Sequence, residues 1–424
     1  MHGRTQLIHH DGCCLPAVAA RLHDAGITPY WCGEIAYACR ANQHLGSLDL
    51  SWNEFGGEAG CSDLASAIAG HRGLRRLVLD NNDLLDGLSV LACAVGRCVS
   101  LQTLSLRNVG FNELAAPALT AVVDALASSR SLRVLDVSGN LSPVWHIRAT
   151  EAHRTHLGAE GMAHSTTTPS LVALLARSLP HGAWSRTLSD LRLMNSDIDD
   201  GHVCLLAEQL TAAGDNTSLE HLSLANNCFG AAGAAALGDL LKVNCRLQSL
   251  DVAGNDLLAE GAISLCSALP LNRGLKRLSL ADTGLQGGAT RLIADCVLAS
   301  TALVSLSLSG NDLCSTREGV QHIARLVRHR DPACCLRELH LCGHDQAGGT
   351  TVYGHLAPGN GWCVGPQGVA CIIARLRNGR AADATTALHM VDLRANGGEK
   401  IPQSGEGWSL YDRTLRVDGC TLRL

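Results

Sequence analysis

Leucine recurs along this chain in a fixed frame: Leu, two residues, Leu, one residue, Leu, two residues, and often Asn. LQSLDVAGN (247–255) and LVSLSLSGN (303–311) are two copies. The frame opens at Leu45, Leu74, Leu101, Leu132, Leu188, Leu219, Leu247, Leu275, Leu303, Leu336 and Leu388, and the step is a constant 28 residues from Leu219 to Leu303. Apolar residues at the fourth and sixth positions predict a short strand with one buried face. The second half of each copy carries Gly-x-x-Gly and then apolar residues at helical spacing, as in FGAAGAAALGDLLKVN (229–244). That pattern predicts a helix whose apolar stripe packs behind the strand. A single copy cannot bury both faces, so copies are expected to stack into a parallel sheet with helices on its other side.

The ninth position of the frame holds Asn at 53, 82, 140, 227, 255, 311 and 396, and Val109, Ser196, Thr283 and His344 in the other copies. A buried amide there can donate to and accept from loop backbone that the turn would otherwise leave unpaired. With these residues the frame resembles the ribonuclease-inhibitor-like class of leucine-rich repeats, also found in NOD-like receptors and in Ran GTPase-activating protein. The resemblance implies an α/β solenoid, a horseshoe with a concave parallel sheet and convex helices, that binds other proteins. Three regions are expected. Residues 1–44 form an N-terminal helical cap of two amphipathic pieces, residues 45–400 the solenoid, and residues 401–424 a C-terminal cap with a closing strand. Caps are needed because an exposed solenoid end leaves apolar surface and strand edges uncovered.

Composition narrows the function classes. The chain has 424 residues, 46% hydrophobic but only 3% aromatic, so its core must be built from Leu, Ala, Val and Cys. A net charge of −5 is no footprint for nucleic acid, and no apolar run reaches the length of a membrane-spanning helix. The first residues, MHGRTQLIHHDGCC, lack the apolar segment of a secretory signal. Nineteen cysteines are scattered through helical text, where a thiol acts as a small hydrophobe, and a reducing compartment with mostly free thiols is expected.

Candidate chemistry is sparse. His340, Cys342, His344, His355 and Cys363 crowd one short stretch, but not with the paired spacing a zinc site wants. HRTH (153–156) is a chance-level pair in a chain with 19 His, so neither a metal nor another cofactor is expected. Neither a phosphate-binding G-x-x-x-x-G-K-[ST] loop nor a G-x-S-x-G nucleophile elbow occurs. Arg325, Arg328, Arg330, Arg375, Arg377 and Arg380 on the predicted helices read as a solvated face.

Two copies of the repeat are interrupted between strand and helix, near 141–156 and 345–363. Insertions on one rim of a solenoid are where binding elements collect. They carry Trp145, His146, Tyr353 and Trp362, and Trp184 follows in an irregular connection. The open face of the sheet is small and mildly acidic, with Ala225, Ala253, Ala281 and Ser309 in its plainest part. Its busier ends hold Trp52, Asp80, Arg107, Arg192 and Met194. Trp52, Arg107, Arg192 and Met194, with Trp145, His146, Trp184, Tyr353 and Trp362, are the candidate partner-binding set. The function they suggest is a non-enzymatic protein-interaction scaffold or structural subunit of a multi-protein assembly. Its expected setting is cytoplasmic, with cytoskeleton and axoneme as candidate homes, no membrane, and nucleic acid disfavoured as a partner. The alternatives are a GTPase-activating protein for a small GTPase and an RNA-associated or organellar subunit.

Overall fold

The computed structural model describes residues 6–7, 19–140, 170–329, 331–343, 363–364, 369, 388–394, 408–409, 414–417 and 420–423. They fall into two compact units, Met1–Asp197 with Ala212–Leu222, and Ile198–Thr211 with Ser223–Leu424.

In the first unit a short antiparallel pair, β1 (Gln6–Leu7) and β2 (Ala19–Arg21), starts the sheet. Parallel strands follow in chain order: β3 (Ser47–Asp49), β4 (Arg76–Val78), β5 (Thr103–Ser105), β6 (Val134–Asp136) and β7 (Asp190–Arg192). Their registers align Leu48, Leu77, Leu104, Leu135 and Leu191, every one buried. Helices α1 (Pro29–Ala41), α2 (Gly57–Ala69), α3 (Gly87–Arg97), α4 (Ala116–Ala127) and α5 (Leu171–Ser178) fill the connections. The turn into α2 requires glycine: a Cβ on Gly60 would stand 2.0 Å from the carbonyl oxygen of Phe55 in the preceding loop.

The N-terminal region departs from expectation. Among the described residues of this region only α1 is helical, while Ala19–Arg21, expected inside a helix, is a strand that pairs in parallel with β3. Ala20 stands in register with Leu48, so the stack of parallel strands begins one copy before Leu45. An alanine in the leucine position hid that copy from a pattern written in leucines.

α6 (Asp200–Ala213) and β8 (His221–Ser223) contain the division between the units. The second unit continues with β9 (Ser249–Asp251), β10 (Arg277–Ser279), β11 (Ser305–Ser307), β12 (Glu338–His340) and β13 (Met390–Asp392), parallel and in register. Helices α7 (Ala231–Val243), α8 (Leu258–Cys266), α9 (Thr290–Leu298) and α10 (Arg317–Val327) alternate with them. Leu250, Leu278, Leu306 and Leu339 are buried as the frame requires. Strands β14 (Trp408–Ser409), β15 (Thr414–Val417) and β16 (Cys420–Arg423) close the sheet, β16 parallel to β13 and antiparallel to β15.

The ninth-position amides act as the sequence suggests. Asn311 Oδ1 accepts from the Thr283 and Leu285 N–H groups at 3.0 Å, and its Nδ2 donates to the Leu280 and Leu308 carbonyls at 2.7 and 3.0 Å. Asn53 makes the same set with Ala25, Ile27, Leu22 and Leu50. In the tenth copy the slot is not filled as expected. Cys363 takes it: its thiol donates to the Leu308 carbonyl at 3.2 Å, and its carbonyl accepts from Leu313 N–H at 3.2 Å. The Val109 carbonyl plays the latter part toward Leu84. The insertion therefore precedes the slot residue instead of following it. His344, the residue assigned by spacing, lies outside the described residues.

Candidate protein-binding site

Each strand of the first unit ends in a turn whose eighth frame position has a left-handed backbone. Asn81, Asn108 and Asn195 sit there at φ +55°, +51° and +51°, and Gly139 at +74°. Asparagine and glycine are the residues that adopt this conformation at least cost. The β2 copy has Asp24 there at φ +49°, and the Leu45 copy instead places Trp52 there, at φ +59°. Its N–H donates to the Asp80 carbonyl at 2.9 Å, as the turn requires, and its indole is 58% exposed. A bulky side chain in this region costs on the order of 1–2 kcal/mol, and a ring left in water returns little of it.

The ring is nonetheless oriented. His23 meets it edge to face, with centroids 6.4 Å apart. His23 Nδ1 donates to Ser51 Oγ at 2.9 Å, and that hydroxyl donates to Asp49 Oδ1 at 2.6 Å. The hydroxyl stands between imidazole and carboxylate, with its proton committed to the carboxylate. A nucleophilic triad needs the imidazole in the middle, so this trio positions groups and does not activate one.

Arg107 lies on the same face two strands on, exposed, with its N–H donating to Asp80 Oδ1 at 3.0 Å. Ser105 Oγ donates to the same oxygen at 2.6 Å. Burial raises the Asp80 carboxyl above the usual aspartate range, and these two hydrogen bonds oppose the shift. Arg192 is held by a two-bond fork on Asp190, at 2.7 and 3.2 Å, which raises its guanidinium and fixes its direction. Met194 is half-buried beside it, its N–H bound to Ser138 Oγ at 3.0 Å. The acidic column of the open face is mostly local turn chemistry. Asp49, Asp136, Asp251 and Asp392 each accept from the N–H two residues on.

In the second unit His340, Cys342 and Asp392 converge with Arg394 on the open face. The Asp392 side chain is 1% exposed and takes an Arg394 fork at 2.7 and 2.9 Å, while His340 Nδ1 stays 3.9 Å away. Burial alone would raise the Asp392 carboxyl, but His340, Arg394 and Cys342 hold it well below the usual carboxylate range. Burial first, and then the Asp392 charge, push the Cys342 thiol up. An activated cysteine needs the opposite environment. Among the described residues no group of His, Cys, Asp and Glu has the arrangement of a metal site.

The sequence-selected residues thus separate. Trp52, Arg107, Arg192 and Met194 share the open face of the first unit. Trp145, His146, Tyr353 and Trp362 lie outside the described residues. Trp184 is a correction: it is fully buried, its Nε1 donating to the Ser178 carbonyl at 3.3 Å, so it fills the core beneath the irregular connection and offers nothing to a partner. Asp80, read from the sequence on this face, organises it through Ser105 and Arg107. His23 was missed, because it falls in a copy that lacks its leucine.

Comparison with known proteins agrees with the repeat frame. A family model described as Leucine Rich repeat matches residues 41–60, 215–238 and 243–266. The ribonuclease inhibitor of Mus musculus is 26% identical over 252 residues, covering 52% of this chain and 48% of that protein, so the match spans about half of the relative's length. Among solved structures, a Caenorhabditis elegans tropomodulin C-terminal domain aligns at 16% identity and a TM-score of 0.30, covering 37% of this chain and 88% of that one. Leiomodin-1 actin-binding site 2 aligns at 17% identity and a TM-score of 0.23, covering 38% and 72%. Similarity this low in both sequence and superposition bears on nothing further.

Proposed function

For this chain of ribonuclease-inhibitor-like leucine-rich repeats, we propose a non-enzymatic role: a protein-binding subunit that holds its partner over the open face of its first unit, centred on Trp52. The observation that carries this reading is the exposed indole at φ +59°, in a position where the other copies of this unit use Asp, Asn or Gly. Aromatic and arginine side chains are the usual anchors of protein interfaces, and Trp52, Arg107 and Arg192 are three of these within five strands. At about 4.8 Å per strand the group spans roughly 20 Å, a fitting width for a standard interface. The relative's name marks it as an inhibitor, hence a protein that binds another; that coarse role is the part carried over, and its target is not. Trp145, His146, Tyr353 and Trp362 belong to the proposal through their place in the strand-to-helix insertions. The wealth of free cysteines among the described residues supports a reducing, cytoplasmic setting.

The test is quantitative affinity capture from the native source with the wild-type chain, Trp52→Ala and Arg107→Glu, with thermal melting as the control. The expected outcome is one partner set depleted at least about tenfold by each variant while the melting temperature moves by less than about 2 °C. Equal capture by all three chains would remove the open face of the first unit as the site.

A further inference from the structure

The opposite edge of the first unit, where helices end and strands begin, carries a different surface. Arg72, Arg130 and Arg186 each stand two residues before the opening leucine of a copy, Arg75 and Arg133 one residue after it, and Arg76 next to Arg75. All six are exposed, and none has a carboxylate within 4 Å among the described residues. Helix dipoles do not account for them, since none is in the last turn of an α-helix. In the second unit Arg273 holds the same place before Leu275 and is exposed as well, but two further cations of that edge are engaged at home. Lys276 donates to Gln248 Oε1 at 3.0 Å, and Arg337 donates to the Cys334 and Leu336 carbonyls at 3.1 and 2.8 Å.

The loops that bear these arginines are tied by hydrogen bonds. His71 Nδ1 accepts from the Gly73 and Leu74 N–H groups at 3.0 and 2.8 Å, and its Nε2 donates to the Asn42 carbonyl at 3.0 Å. Ser129 Oγ accepts from Leu132 N–H at 3.3 Å, and Ser131 Oγ donates to the Cys98 carbonyl at 2.8 Å. Arg75 and Arg133 belong to strands two apart, so their backbones lie about 10 Å from one another. Between the two arginine groups Val99 is 81% exposed, at the frame position that Arg72 and Arg130 occupy in their copies. Beside them a cleft of about 390 Å³ opens between the ends of α4 and α5, with Arg177, His181 and one carboxylate, Asp124, in its wall. The edge is bounded: Glu220 follows Ser189 in the same column, and Asp190 is already held by Arg192.

We propose that this arginine edge is a second docking surface, and that its occupant is an acidic, extended segment of a partner protein with an apolar residue for Val99. Guanidinium forks suit carboxylates, and a segment of limited length avoids the rest of a chain whose net charge is −5. Single-stranded nucleic acid fits less well, because the exposed aromatics Tyr30, Trp31, Tyr37 and Trp52 are not in these loops and its bases would find no stacking partner there. The surface is distinct from the Trp52 face, at the other ends of the strands.

The probe is a fluorescein-labelled peptide of alternating Glu and Asp with one central Leu, titrated with the full chain and followed by anisotropy. Binding should weaken steeply with added salt, fall at least about tenfold in Arg75→Glu/Arg133→Glu, and be unchanged in Trp52→Ala. Partner capture lost in Trp52→Ala with peptide binding intact would keep the two surfaces separate. If the charge-reversed chain does not fold, Arg75→Gln/Arg133→Gln should still reduce binding about threefold. A folded variant that binds the peptide like wild type overturns the proposal. So does an oligouridylate of equal charge that binds more tightly than the peptide and is lost in the same variant.

Discussion

Position 52 separates what folding wants from what the surface presents. Asn81, Asn108, Asn195 and Asn226 hold the same left-handed turn position, φ +51° to +55°, and asparagine reaches it with little strain. Trp52→Asn should therefore leave the melting temperature unchanged or raise it by a few degrees, even though it removes the contact with His23. Thermal melting followed by circular dichroism checks this. A drop of more than about 4 °C would make the indole a structural lid, and the binding role of Trp52 would lose its support. Trp184 is the contrasting case, because its ring lies in the core and its N–H is bonded to backbone. Truncating it is a folding experiment and reports nothing about partners.

At the scale of the repeat element, the ninth-position side chain ties each turn to the one before. Asn311→Ala would orphan the Thr283 and Leu285 N–H groups in one step, while the Leu280 and Leu308 carbonyls lose one donor each and keep the Thr283 hydroxyl and the Cys363 thiol. The expected loss is on the order of 3 kcal/mol, since each buried unpaired group costs about 1–3 kcal/mol and relaxation recovers part. Cys363 fills the same slot with a weaker donor, so Cys363→Asn should cost less than about 1 kcal/mol and restore the usual pairing. Urea midpoints for the two variants measure the contrast. A Cys363→Asn chain as damaged as Asn311→Ala would mean that the slot has been misassigned.

Taken across the molecule, cysteine replaces larger apolar residues within the helices. Burial, reinforced by Asp63, pushes the Cys32 thiol up to about 11, and burial with Cys32 nearby pushes Cys61 up to about 12. Cys266, fully enclosed, is raised as well. Thiolate is the reactive form, so at pH 7.5 these groups should resist alkylation while exposed Cys93 and Cys245 react first, ahead of exposed Cys204, whose thiol burial, Asp200 and Asp199 push up. Timed iodoacetamide labelling with mass mapping gives the order. Cys61 labelling as fast as Cys93 would contradict the packing of α1 against α2.

The sequence by itself determined the repeat, its strand-then-helix order, the buried leucine rows and the use of Asn at the turn. All of these follow from a short period in which each copy can satisfy its apolar and polar groups only through the next. It also put Trp52, Arg107, Arg192 and Met194 on one face, because strand alternation sets direction without any knowledge of neighbours. Other features were decided only by the tertiary structure. Ala20 does the work of a leucine because β2 pairs with β3, and Cys363 reaches the slot because the chain returns there after its insertion. Trp184 and Trp52 are the same residue type, yet only the surrounding copies determine which ring is buried. Likewise, Arg76 and Arg130 are far apart in the chain and become members of one edge only when parallel strands stack. Burial and charge clustering are properties of neighbours in space, and a repeat pattern specifies the period of those neighbours without specifying which side chains will meet.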